Sequence, residues 1–122
     1  MLILDNLINS KNKQINEYKA EIKILDLGIQ DADDAKKRYE EAISELDQLI
    51  DEISICFKGE SADAFVAKVL SLRFAASATQ GILSFYITSY NRRIDELKTQ
   101  IDKCKGWVDF YNDFKNLLTW TH

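Results

Sequence analysis

Apolar residues recur through the first half of the chain at alternating steps of three and four. Ile8, Ile15, Ile22, Ile29, Ile43, Ile50 and Phe57 fall at one core position of a heptad. Leu4, Tyr18, Leu25, Ala32, Tyr39, Leu46 and Ile53 fall at the other, and only Lys11 and Lys36 interrupt the series. A pattern held this long in one register predicts a continuous helix over about 3–56 with a single apolar seam. At 1.5 Å per residue such a helix is about 80 Å long, which predicts a rod rather than a globule. Gly28, Asp31, Asp33 and Asp34 mark the one place where it would kink or restart, and the register continues across them.

The pattern stops at Cys56-Phe57-Lys58-Gly59-Glu60-Ser61. Gly59 can take the left-handed conformation that ends a helix and Ser61 can cap the next, so the turn is expected over 57–61. A second helix, over about 62–117, reads Phe65, Val69, Leu72, Ala76, Leu83, then Ile87, Tyr90, Ile94, Leu97, Ile101, Cys104, Val108, Tyr111 and Leu118, with a stutter between Leu83 and Ile87. Gly81 and Gly106 lie inside it, with a kink expected near Gly106, and disorder is expected for Leu118 to His122. The fold class that follows is all-α: one domain, 1–122, built as a long antiparallel helix-turn-helix hairpin of coiled-coil type.

Composition agrees with that reading. The 122 residues are 46% apolar and 30% charged and include no proline, which suits long uninterrupted helices. The net charge of −4 is uneven, with fourteen acids and eight bases in residues 1–60 against six acids and eight bases afterwards. The two halves therefore attract one another, and the acidic total argues against binding nucleic acid or an anionic membrane. Residues 74–90 carry no charge, but Ser77, Thr79, Gln80, Ser84, Thr88 and Ser89 make them too polar to span a bilayer. The N-terminus, Met1-Leu2-Ile3-Leu4-Asp5, does not read as a cleavable signal peptide, so a cytoplasmic location is expected.

The residue types that carry catalysis are sparse. The single histidine, His122, is the last residue, where no packed surround would hold it as a base or metal ligand. There is no glycine-rich phosphate loop, CxxC or HExxH pattern, and the carboxylates fall at solvent-facing heptad positions. Cys56 and Cys104 would lie roughly 60 Å apart in the hairpin, too far for a disulfide, and read as small apolar seam residues. These features predict a protein that is not an enzyme and takes no cofactor or metal.

Two segments point to a function. The first is the turn, where Phe57 precedes Gly59 by two residues, small residues follow, and Phe65 comes eight positions after Phe57. Phe57 would end the first seam, Gly59 would permit the reversal, and Phe65 would close over it. The segment resembles the W-x-G-x-A-x-x-x-F turn of the helical-hairpin superfamily handled by type VII secretion systems. Phe57 takes the tryptophan place, Gly59 the glycine, Ser61 the alanine and Phe65 the final aromatic. The long first helix and the K-G-x-S turn look most like the small partner proteins of LXG-domain toxins in Gram-positive bacteria.

That resemblance implies a chaperone-like targeting protein that binds the toxin's helical N-terminal domain, alone or with a second small helical protein, and presents it for export. It also implies that the chain itself can leave the cell by that route without a cleavable signal peptide. The superfamily's export signal, an aromatic followed four residues later by an acid, is not found near the end of the second helix. Either a partner supplies it, or Trp107, Phe110 and Tyr111 form a variant.

The second segment is the charge-free stretch 74–90. A helix with one neighbour should carry charges on its outer face, so Phe74, Leu83, Phe85, Tyr86, Ile87 and Tyr90 are candidates for a partner interface. The same heptads would also serve a structural homodimeric coiled-coil module with no role in secretion.

Overall fold

The computed structural model describes residues 2–120. It contains two α-helices, α1 (Leu2–Cys56) and α2 (Glu60–Trp120), packed against each other, with no strand among the described residues. The chain is all-α, as its periodicity predicts. α1 runs unbroken through Gly28 and the aspartates that follow it, and α2 runs unbroken through Gly81 and Gly106. Leu118 and Trp120, expected to be disordered, belong to α2, while Thr121 and His122 lie outside the described residues.

Packing divides the chain into two compact units. A central unit comprises Gly28–Ser89, and a terminal unit comprises the described residues up to Leu27 with those from Tyr90 onward. In the terminal unit Lys115 bonds to Asp5, Cys104 Sγ lies 3.5 Å from Gln14 Oε1, and Arg93 Nε lies 3.0 Å from Glu21 Oε1. Numbers rise on one helix as they fall on the other, so the pairing is antiparallel. In the central unit Arg73 bonds to Asp47 and Gln80 Nε2 donates to the Lys36 carbonyl at 3.1 Å, again antiparallel.

The α1 seam is the one predicted. Ile15 and Ala32 are buried, the positions from Leu4 to Ile53 are otherwise half-buried apart from Tyr39, and Lys11 and Lys36 are half-buried in their places in the series. The aliphatic stems of the two lysines cover the seam while their ammonium groups reach solvent.

The α2 seam differs from the expectation. Its inward positions are Ala62, Val66, Val69, Arg73, Ala76, Gln80, Leu83, Ile87 and Tyr90, continuing through Ile94, Leu97, Ile101, Cys104, Val108, Tyr111, Lys115 and Leu118. Steps of four and three alternate throughout, so there is no stutter. Phe65 and Leu72, read as seam residues, are 49% and 60% exposed. Val66 and Arg73, one position later, take the inward places.

The two units bury different material. Ile15, Ile94, Leu97, Ile101 and Cys104 are buried in the terminal unit, with Tyr18, Ile22 and Val108 packed against the cluster of Ile15, Ile101 and Cys104. The central unit buries only Ala32 and Val69, and its seam includes Arg73 and Gln80. Much of its apolar material lies outside instead.

Candidate interaction site

The turn is short. Phe57 N–H donates to the Ile53 carbonyl at 2.9 Å, completing α1, and Gly59 adopts φ 115°, a conformation open to glycine and strained for other residues. The Asp63 N–H donates to the Gly59 carbonyl at 3.0 Å, so Gly59 holds the N-cap place and α2 starts at Glu60. Ser61, expected to cap, sits inside the first turn. Glu60 and Asp63 place negative charge there, where the helix dipole favours it.

Phe57, Ser61 and Phe65 come together around Gly59. With Leu49, Ile53, Lys58 and Ala62 they line an open, largely apolar hollow of about 430 Å³. Phe57, expected to end the α1 seam, is 64% exposed, and Phe65, expected to close over the turn, is 49% exposed; the two form the rim of a concavity. Cys56, beside it, is also exposed, unlike Cys104, and both thiols are free.

The six interface candidates of 74–90 separate into three settings. Leu83, Ile87 and Tyr90 are half-buried in the hairpin's own seam. Phe74 and Phe85 are largely exposed and point away from α1. Tyr86 lies on one edge of α2, its ring centroid 6.2 Å from that of Phe85 in an edge-to-face arrangement.

That edge was not singled out in the sequence. Immediately before each alternate seam position α2 carries Phe65, Leu72, Thr79 and Tyr86, and α1 carries Ala35, Ala42 and Leu49 at the corresponding places. Leu49 and Phe65 share the hollow at the turn. Ala35 and Ala42, with Arg38 and Tyr39, line a second hollow of about 390 Å³. Phe65, Leu72 and Tyr86 on α2 and Ala35 and Ala42 on α1 thus lie on the same side of the hairpin in the central unit. The opposite edge of α1, with Asp26, Asp33, Glu40 and Asp47, is polar.

In the terminal unit Trp107, Phe110 and Tyr111 form a cluster with Phe114. Trp107 stacks on Tyr111 with centroids 5.6 Å apart and meets Phe110 edge-on at 5.8 Å, and Phe110 stacks on Phe114 at 6.5 Å. Tyr111 is in the seam, while Trp107, Phe110 and Phe114 are between 44% and 56% exposed.

Some of the charged groups form ion pairs between the helices. Arg73 makes a forked contact with Asp47 and Arg93 with Glu21, and hydrogen bonding to those carboxylates holds both guanidinium groups above the ordinary arginine range. Among the described residues no three His, Cys, Asp or Glu side chains are grouped to hold a metal, and no helix is long and apolar enough to cross a membrane. No protein-family model matches the chain, and no curated protein or solved structure shows significant similarity to it.

Proposed function

We propose that this chain is a small, chaperone-like partner protein that binds the long helical N-terminal domain of an LXG-type toxin and targets it to type VII secretion. It works by helix packing rather than by catalysis, and it meets the toxin in the cytoplasm. The observation that carries the reading is the exposed apolar edge of the central unit, with Phe65, Leu72 and Tyr86 on α2 and an open hollow lined by Ala35, Arg38, Tyr39 and Ala42 on α1. Such an edge suits an incoming helix, and an LXG-type domain supplies long helices. The identity of the partner rests on the likeness of the Phe57 to Phe65 segment to the W-x-G turn.

The second reading, a structural homodimeric module, draws on the same exposed residues. Light scattering after size exclusion separates the two, on the chain alone and then mixed with an LXG-type helical domain. A defined heteromer supports the partner reading. A homodimer whose mass is indifferent to that domain supports the structural one.

A further inference from the structure

The hollow at the turn has walls of two kinds. Leu49, Ile53 and Ala62 are half-buried and form an apolar floor, while Phe57 and Phe65 stand exposed at the rim. The polar side chains that line it are those of Lys58 and Ser61, both exposed. Among the described residues the Lys58 ammonium has no ion-pair partner and the Ser61 hydroxyl makes no hydrogen bond. Glu60 and Asp63, the acids closest in sequence, do not line the hollow, so the charge on its wall is positive.

We infer that this hollow binds a small aromatic carboxylate. The aromatic body lies on Leu49, Ile53 and Ala62 between Phe57 and Phe65, and the carboxylate accepts hydrogen bonds from the Lys58 ammonium and the Ser61 hydroxyl. The volume, about 430 Å³, is nearly three times the ~150 Å³ of a cavity that holds benzene, and it falls within the ~300–1,000 Å³ of small-molecule sites. Such sites are mostly apolar and aromatic, with a few polar groups that fix the ligand's orientation. Five apolar side chains and two donors give this hollow the same make-up.

The sign of the charge selects the ligand. An ammonium and a hydroxyl both donate, so together they suit an acceptor, and an ionised acceptor gains most from them. A neutral aromatic would cover the same apolar floor but leave the ammonium without a counter-charge, and a cationic one would meet like charge. The reversal at Gly59, with its φ of 115°, brings Lys58 before it and Ser61 after it to one hollow. The inference goes beyond the proposed function, since it gives the turn a ligand of its own and needs no second protein.

The test is isothermal titration calorimetry of the full chain with 2-naphthoate and with its neutral isostere, 2-naphthamide. The wild type is expected to bind one 2-naphthoate per chain and to bind 2-naphthamide roughly tenfold more weakly. Lys58→Gln is expected to lose about the same factor for 2-naphthoate and to bind 2-naphthamide as the wild type does. Ser61→Trp, at an exposed position, fills the hollow and is expected to abolish binding while the chain stays helical by circular dichroism. A wild type without saturable binding of 2-naphthoate, equal affinity for acid and amide, or a Lys58→Gln or Ser61→Trp variant that binds the acid as wild type does would overturn the proposal. The titration contains no LXG-type domain, so its outcome is separate from that of the partner reading.

Discussion

Leu97 and Leu72 are the same residue type on the same helix, and the structure assigns them opposite roles. Leu97 is fully buried, whereas Leu72 is 60% exposed on the edge of the central unit. Leu97→Ala removes side-chain atoms whose surroundings relax only in part, a change that costs 2–5 kcal/mol in buried sites, and about 3 is expected here. For a chain of this length that lowers the melting temperature by roughly 10 °C. Leu72→Ala removes atoms that mostly face water, and the expected cost is below about 1 kcal/mol. Urea unfolding followed by circular dichroism measures both. A Leu72→Ala change as damaging as Leu97→Ala would refute the α2 register and restore the apolar series that includes Phe65 and Leu72.

Other consequences follow from single residues. An added Cβ at Gly106 meets nothing within 4 Å, so Gly106→Ala should stabilise the protein by about 1 kcal/mol in the same unfolding assay. Gly59→Ala should destabilise it by about 1–2 kcal/mol, because φ 115° is strained for alanine although space is open there. A thiol reagent should label Cys56 quickly in the native protein and Cys104 only on unfolding, as judged by the mass of labelled peptides. The Arg73–Asp47 pair is about half exposed, so Asp47→Asn should change stability by no more than about 1 kcal/mol, and less at high salt.

The α1 seam was readable because its heptad positions are held by apolar residues from Leu4 to Ile53, all but Ala32 large, and the two lysines that interrupt it are isolated. The reversal was readable because Gly59 stands between two apolar series. The early register of α2 was not. Arg73 and Gln80 occupy inward positions, where they bond to Asp47 and to the Lys36 carbonyl, and apolar Phe65 and Leu72 stand one place before Val66 and Arg73. A reading that follows apolar residues takes the outward ones and then needs a stutter to rejoin the true seam at Ile87.

The interface candidates were legible only as a group. Absence of charge over 74–90 signals a covered helix, but the signal has no direction around the axis. Only packing separates Leu83, Ile87 and Tyr90, which the hairpin covers itself, from Phe74, Phe85 and Tyr86, which it leaves open. The edge formed with Ala35 and Ala42 required the pairing of α1 with α2. That pairing became visible only through contacts such as Gln80 with Lys36.

The central claim, that the exposed edge of the central unit receives a helical partner, is tested most directly by light scattering of the chain mixed with an LXG-type helical domain. Wild type should be compared with Leu72→Asp and Tyr86→Asp. The account predicts a defined heteromer with wild type and none with either variant, each variant remaining helical by circular dichroism. A wild-type chain that leaves the mass of that domain unchanged, or edge variants that bind it as wild type does, would contradict it.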